Sequence, residues 1–338
     1  MRNRKIAATL FAILAAAFYA LNVPFSKRLL SEVTPTRMAS FLYFGAGVGI
    51  GLPYLFYWKR EKKEERLTRE NLPYTLGMVA LDILAPIFLM LGIRIGSSAN
   101  ASLLGNFEIV ATTLIALLLF KEKVSKKLWI AITCITISSL ILAFKGSGSL
   151  QFSMGSLFVL LATMCWGLEN NCTRKLSEKS TGQIVTIKGL CCGMGSFLIA
   201  NVIGEPLPEI EYVFLAMILG FVAYGLSIFL YIRAQRDLGA AKTSAYYSIA
   251  PFIGTFLAFM VNGEKLTKAY FSGLFFMVAG TGFVVADTLM YNHKRVHTHF
   301  ITHTHDGTTH THTLTHEHSH NHISHSDMHH HYHKVHLH

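Results

Sequence analysis

Four ionisable side chains lie inside long apolar stretches of this sequence, where charge is costly. They are Asp82, Glu108, Glu169 and Lys188. A charged side chain at the centre of a bilayer costs about 2.5–3.5 kcal/mol on insertion scales, so an intramembrane acid is by default a functional candidate. Three carboxylates at that depth could bind a solute, hold a cation or carry a proton. The alternative is an internal clamp, such as Glu169 paired with Lys188, that only holds helices together.

The elements that position these side chains are apolar segments of membrane-spanning length. Of the 338 residues, 51% are hydrophobic and 14% are charged, and the mean hydropathy is +0.40. A crossing needs about 20 mostly apolar residues, and a helix satisfies its own backbone there. We therefore predict an all-α membrane protein with ten transmembrane helices. The predicted spans are residues 6–25, 38–58, 72–93, 99–120, 128–144, 155–171, 184–203, 212–232, 245–261 and 269–290.

The formal net charge of +11 fits membrane topology better than nucleic-acid binding. With the N-terminus placed in the cytoplasm, the segments expected inside hold 21 basic residues up to Arg295, and those expected outside hold 7. Basic residues concentrate in cytoplasmic loops. We therefore expect a multi-pass protein of the cytoplasmic membrane with both termini inside and with no nucleic-acid partner. The five cysteines lie in apolar segments and have neither disulfide-framework nor metal-site spacing.

The second five spans repeat the first five. Residues 19–29 align without gaps on residues 166–176, and both segments carry two adjacent bases before a final leucine. The openings of spans four and nine also match, at residues 94–99 and 236–241. Five crossings is an odd number, so the second copy must be inverted, which is a usual build of secondary transporters. The predicted organisation is a first five-helix repeat at 1–149, a second at 150–292 and a tail at 293–338.

Several of these landmarks resemble a known family. Trp166-Gly167 lies in span six, Pro251 lies in span nine, and residues 263–267 read Gly-Glu-Lys-Leu-Thr. Together they resemble the EamA-type drug/metabolite transporters over residues 6–290. The resemblance implies ten helices, alternating access and a central cavity lined by spans one, three, four, six, eight and nine. It leaves the substrate open, because that superfamily carries amino acids, nucleosides, sugars and drugs.

The sequence departs from the family pattern in two places, and the spans that the resemblance puts around the cavity carry further candidates. Tyr19-Ala20 replaces a Trp-Gly pair, and Glu108 lies near the position where the family usually has a proline.

Aromatic side chains in the spans around the expected cavity would give flat apolar walls with a polar N–H or hydroxyl. For each of them, packing or an interfacial belt is the alternative. Pro24 and Pro251 are predicted helix kinks near a gate. The candidate residues for substrate binding or coupling are Asn22, Asp82, Asn106, Glu108, Trp166, Glu169, Tyr224 and Tyr247.

The C-terminal segment has a different chemistry. All 18 histidines lie at or after His293, and large apolar residues become rare after Arg295, so we expect a disordered cytoplasmic tail. Pairs of the form His-x-His share one side of an extended chain, and neutral imidazole suits Zn, Ni, Co and Cu(II). The predicted metal ligands are His297, His299, His303, His305, His310, His312, His316, His318, His320 and His322.

These observations predict a secondary active transporter, an exporter or exchanger of a small organic metabolite that works by alternating access. Its partners would be the solute and the lipid bilayer, with a homodimer left open. No cofactor is required, although the tail could bind Zn, Ni or Co. The alternative is a divalent transition-metal efflux carrier loaded by the tail. An enzyme is not expected, because the sequence has no His-Glu-x-x-His, nucleophile elbow or Walker-type phosphate loop.

Overall fold

The computed structural model divides the chain into two compact units. The first spans Met1–Val285 and the second spans Ala286–His338. The first unit is built from helices, with short 3₁₀ turns at Lys63–Glu65 and Arg69–Asn71. The residues that the structure describes are 2–58, 61, 63–120, 125–144, 153–176, 179–238, 243, 246–264, 267–289, 291–305 and 308–322.

In the first half of the chain the helices follow the predicted spans, but two spans are broken. The first breaks at Leu21, because Pro24 has no N–H to donate to the carbonyl four residues earlier. The fourth breaks at Gly105 and Asn106, both weak helix formers. The helices are α1 Arg2–Ala20, α2 Asn22–Leu29, α3 Pro35–Tyr57, α4 Leu72–Ile95, α5 Ser98–Leu104, α6 Phe107–Phe120 and α7 Lys126–Ala143.

In the second half, two spans contain a wider π-helical turn. Lys188–Cys192 joins α9 to α10, and Phe221–Leu226 joins α11 to α12. Single π turns inside helices are frequent at functional sites, and these two contain Lys188 and Tyr224. The helices are α8 Met154–Arg174, α9 Thr181–Ile187, α10 Gly193–Val202, α11 Ile210–Gly220, α12 Ser227–Leu238, α13 Ala250–Asn262 and α14 Lys268–Leu289.

Seven helical segments among the described residues are long and apolar enough to cross a membrane. The three predicted spans outside this set are the fourth, which is broken, the sixth, which carries polar residues, and the ninth, which α13 represents with 13 residues. All three spans were expected to line the cavity. Cavity-lining helices carry polar groups and breaks, and these shorten their continuous apolar segments. The ten-helix count therefore stays a prediction. The seven segments are Ile6–Leu29, Pro35–Tyr57, Arg69–Ile95, Lys126–Ala143, Thr181–Val202, Ile210–Ala234 and Lys268–Asp287.

Helices of the two predicted repeats interlace rather than forming separate bundles. α4 packs along α8, α1 packs along α12, and α3 packs against α10 and α11. The crossing of α3 with the seventh span is so close that only glycine fits. A Cβ placed on Gly189 would lie 2.2 Å from the Cα of Gly47. Small residues allow this backbone contact between membrane helices, so the corresponding second and seventh spans touch directly at their centres.

The second unit differs from the disordered tail that we expected. Tyr291–His305 (β1) pairs antiparallel with Thr308–His322 (β2). Disorder was expected because the segment offers little apolar area to bury. Threonine alternates with histidine in this segment, and β-branched threonine favours the extended backbone of a strand. The side chains of both strands and residues 323–338 lie outside the described part of the structure.

Candidate substrate site

A buried ionic triad links three spans of the helical unit. The Lys188 Nζ atom lies 2.9 Å from Asp82 Oδ2 and 2.9 Å from Glu169 Oε1. The residues are 8%, 0% and 3% exposed respectively. The hydroxyl of Thr173, one turn along α8, also donates to Glu169 Oε1. This is the geometry of the internal clamp that the sequence left as an alternative, with Asp82 added to it.

Glu108 is held differently from the other two acids. It lies in the first turn of α6, directly after the break at Gly105 and Asn106. A helix N-terminus favours negative charge there, so the break itself prepares a place for the carboxylate. Asn170 Nδ2 donates to Glu108 Oε1 at 2.6 Å and lies 3.3 Å from Thr112 Oγ1. Glu108 is only half-buried, whereas the triad is sealed.

The two contacts meet on α8, where Glu169 and Asn170 are adjacent in sequence. Lys188 is the one cation among the described side chains of this cluster, and it pairs with Asp82 and Glu169. Three carboxylates therefore share one ammonium, which leaves an excess of two negative charges if all are ionised. In a low-dielectric interior such charge must be neutralised by protons or by a bound cation.

A row of five tyrosines from several helices lies in the same unit, and we call it the tyrosine row. Neighbouring ring centroids are 5.1 Å apart for Tyr43 and Tyr224, 6.2 Å for Tyr224 and Tyr19, 5.7 Å for Tyr19 and Tyr247, and 4.9 Å for Tyr247 and Tyr231. These separations suit favourable aromatic pairs. The row joins α1, α3, the eighth span and the segment just before the turn that precedes α13.

Hydrogen bonds fix two hydroxyl groups of this row. Asn22 Nδ2 donates to the Tyr224 hydroxyl at 3.2 Å, and Asn22 Oδ1 accepts from Ser26 Oγ at 3.1 Å. The Tyr247 hydroxyl lies 3.3 Å from Ser227 Oγ, which itself donates to a backbone carbonyl of α1. Asn22 and Tyr224 are buried, so this pair joins the first span to the eighth much as the triad joins the third to the sixth.

The family model of EamA-like transporters matches this chain twice, over residues 6–144 and 153–286. The chain belongs to the EamA-like transporter family. The crystal structure of another protein superposes on this chain with a TM-score of 0.62. The two are 16% identical in sequence, and the match covers 83% of this chain and 96% of that chain. That likeness supports the fold. With the apolar helices, the family identifies a multi-pass membrane transporter of small molecules.

Three relatives carry the name of uncharacterised transporters. One from Methanothermobacter thermautotrophicus is 24% identical over 279 residues, covering 75% of this chain and 79% of the relative. YyaM from Bacillus subtilis is 22% identical over 262 residues, covering 75% and 84%. One from Clostridium kluyveri is 23% identical over 286 residues, covering 80% and 91%. These names agree with transport and say nothing of the solute.

Other candidates in this EamA-like transporter make contacts with the apolar core or with other helices. Trp166 belongs to the main apolar core. Asn106 is buried and its amide lies 3.4 Å from Thr281 Oγ1 on α14, so it is directed to the last helix. The Pro24 carbonyl accepts a hydrogen bond from Asn262 Nδ2 at 3.2 Å. This contact ties α2 to the end of α13.

Pro251 follows a break in the predicted ninth span, and its role as a kink near a gate stays a prediction. Pro251 lies in the first turn of α13, where a missing N–H is tolerated, so it begins a helix. The chain makes a turn at Ser248 and Ile249 just before it. A Cβ placed on Gly105 would lie 4.0 Å from Pro251 Cγ, so the break in the fourth span faces the start of α13.

The metal ligands predicted in the tail stay a prediction. All of the predicted histidines lie in β1 and β2, whose side chains are outside the described part of this EamA-like chain. Among the side chains that the structure does describe, no group of three histidine, cysteine, aspartate or glutamate residues is placed to hold a metal ion.

Sequence reasoning missed the role of Glu264, whose carboxylate holds the start of α5 in this EamA fold. Glu264 accepts hydrogen bonds from the backbone N–H groups of Ser98 at 2.7 Å and Ala99 at 3.0 Å, and from the hydroxyls of Ser97 and Ser98. Burial would raise its pKa, but these hydrogen bonds outweigh burial and lower the pKa below its usual value. Ser97 and Ser98 are a helix-start signal that the local sequence shows. Nothing in the local sequence indicates that Glu264 is their partner.

Glu205 makes a comparable contact at the start of α3. It accepts from Thr34 Oγ1 at 2.7 Å and from the backbone N–H of Arg37 at 2.9 Å. The Arg37 guanidinium donates back to the Glu205 carbonyl at 2.9 Å and to Asn201 Oδ1 at 2.6 Å. Two loop carboxylates thus each hold the N-terminus of a helix from the other predicted repeat.

Proposed function

We propose that this protein is a secondary active transporter that exports or exchanges a small organic solute across the cytoplasmic membrane by alternating access. The observation that carries the proposal is the polar cluster where the third, fourth, sixth and seventh spans meet. Asp82, Glu169 and Lys188 seal its buried side, and Glu108 with Asn170 forms its accessible side. Charge of this kind is rarely retained at membrane depth without a solute or ion pathway.

Broken helices support a moving site. The repeat alignment places Gly105 and Asn106 opposite Tyr247 and Ser248. The structure breaks the fourth span at the first pair and turns the chain at Ser248 and Ile249. Discontinuous helices at corresponding positions of two inverted repeats are typical of transporter binding sites, because freed backbone groups and helix ends face the solute.

Divalent-metal efflux is the competing hypothesis. A metal site would need several convergent ligands, and the described side chains contain no such group of three. Asn170 supplies an amide hydrogen to Glu108, which suits a carboxylate that binds an organic group better than one reserved for a metal. The cluster therefore favours transport of an organic solute over efflux of a divalent metal.

The test is flux in proteoliposomes with a panel of amino acids, amines, nucleosides, Zn, Ni and Co. We expect at least one organic class to be carried, and Glu108→Gln to lower its rate about tenfold or more, equivalent to about 1.4 kcal/mol. Glu70→Gln, at an exposed glutamate, is the matched control and should be neutral. Unchanged flux in Glu108→Gln would remove Glu108 from the site. Flux of the metals alone would replace the organic solute with a divalent cation.

A further inference from the structure

The backbone register of β1 and β2 sorts the residues of the hairpin onto two faces by type. Alternate positions of a strand belong to opposite faces, and directly paired positions of two strands belong to the same face. The pairing runs from Tyr291 opposite His322 to His305 opposite Thr308. The five histidines of β1 and the six of β2, eleven in all, therefore occupy one face. The positions of the other face are mostly threonine, serine and asparagine.

The register between the strands decides this separation. Within each strand the histidines already lie at alternate positions, so each set shares a face whatever the strand pairs with. A slip of one residue in the pairing would put the histidines of β2 on the face opposite those of β1. The two residues between the strands are Asp306-Gly307, a sequence that favours two-residue hairpin turns and so favours the observed register.

Three pairs of histidines are directly opposite each other on this face. The pairs are His293 with His320, His297 with His316 and His303 with His310. Opposed residues of antiparallel strands have Cα atoms about 4.5–5.5 Å apart, and residues two positions along one strand are about 6.5–7 Å apart. Each pair also has a further histidine two positions away on the same face, so each is the centre of a group of at least three. These further histidines include, in the same order, His322, His299 and His305.

A group of three histidines is a ligand set for a divalent transition metal. Zinc binds neutral imidazole nitrogen at about 2.0–2.1 Å, and three protein ligands with one water complete a tetrahedral site. The two strands contain few large apolar residues, and an isolated two-stranded hairpin is at best marginally stable in water. The binding free energy of a metal that binds the folded state adds to folding stability. Bound metal would therefore hold the strands together in place of an apolar core.

We propose that β1 and β2 form a metal-binding hairpin with three sites for zinc or a similar divalent transition metal, one at each directly opposed histidine pair. This differs from chelation by a disordered tail, because it requires the two strands to be in register. It does not depend on the proposed function, since the hairpin belongs to the second unit of the chain. Zinc binding and solute flux are therefore separate measurements.

The first test removes the same number of histidines in two ways. Full-length protein in detergent is titrated with zinc by calorimetry, and threonine is the substitute because it favours strands. His303→Thr with His310→Thr removes both members of one pair and should bind one zinc ion fewer than wild type. His303→Thr with His316→Thr takes one member from each of two pairs and should weaken two sites by about tenfold. Equal losses in the two double variants would contradict the pairing. The seven histidines after His322 are common to all these proteins, so only the difference from wild type counts.

The second test changes the register and keeps the composition. Moving Thr315 to the position after His322 preserves the length of the chain and each His-x-His spacing. It transfers the four histidines of residues 316–322 to the face opposite the histidines of β1. The two pairs farther from the Asp-Gly connection should then lose their sites, while the nearest pair keeps its own. We expect two zinc ions fewer than wild type.

A compensating change in β1 provides the matched control. Moving Asn292 to the position after His299 transfers the outer histidines of β1 to the same face as the relocated histidines of β2. The protein with both relocations should therefore recover the two lost sites. A disordered chelator would bind zinc equally in wild type, in the single relocation and in the double relocation. That result would overturn the proposal.

Discussion

The acids of the polar cluster fall into two groups according to the residue that each one contacts. Asp82 and Glu169 share the ammonium of Lys188 in a sealed position, and Glu108 stands beside an amide in a half-buried one. Removing one member of a buried ion pair leaves an uncompensated charge, whereas replacing the whole group by neutral side chains is often tolerated. The triad therefore has the physical character of a structural clamp.

This difference predicts a stability pattern. Lys188→Met should lower the free energy of unfolding by about 3–5 kcal/mol, because two carboxylates lose their counter-ion. Adding Asp82→Asn and Glu169→Gln to the same chain should recover most of that loss. Denaturant unfolding in mixed micelles measures both. A Lys188→Met protein as stable as wild type would show that the triad does not hold the helices together.

At the scale of elements, long-range caps and breaks shape the bundle. The fourth span is two helices, and the carboxylate of Glu264 holds the N-terminus of the first of them, α5. Gly263, just before it, has φ of 61° and ends α13 in a left-handed conformation that glycine adopts without strain. The turn thus aims Glu264 at a helix from the other predicted repeat.

The lowered pKa of Glu264 predicts a pH-dependent stability. Because the folded-state pKa lies below its ordinary value of about 4.3, the stabilisation is complete above that pH and is lost as pH falls through the lower folded value. Glu264→Gln should cost about 1–2 kcal/mol at neutral pH. The difference from wild type should shrink as the pH falls below 4. Thermal unfolding across pH measures this, and a pH-independent difference would contradict it.

At the scale of the whole chain, two interlaced halves form one helical unit, and the histidine segment forms a second. The family matches cover the helical unit and end at residue 286. The histidine segment therefore lies beyond the part that carries the proposed site, and metal binding by it stays a prediction.

Deleting residues 296–338 should leave solute flux unchanged and remove zinc binding. The reason is that imidazole ligands occur only in the tail, while the acids and the tyrosine row lie in the helical unit. Flux in proteoliposomes and zinc retained after dialysis measure the two effects. A full-length chain with serine in place of the tail histidines is the control for length. Zinc retention that survives both changes would place the metal elsewhere.

Local information accounts for the correct part of the sequence analysis. Apolar length and landmark spacing identified the repeat and the family, because both depend on residues close together in the chain. The same reasoning predicted that Asp82, Glu108, Glu169 and Lys188 lie at membrane depth, and that depth stays a prediction. It gave no sign of the turn at Ser248 and Ile249 before Pro251, nor of the pairing between the two histidine-rich strands.

The sequence by itself determined which residues are costly to bury, since side-chain chemistry and apolar context are written locally. Only the tertiary structure decided which acid is neutralised. Lys188 reaches Asp82 and Glu169, and Asn170 reaches Glu108 across 62 positions of sequence. Glu264 and Ser98 are 166 positions apart. Such pairings arise when helices from two repeats pack together, and no periodicity or spacing within one helix can specify them.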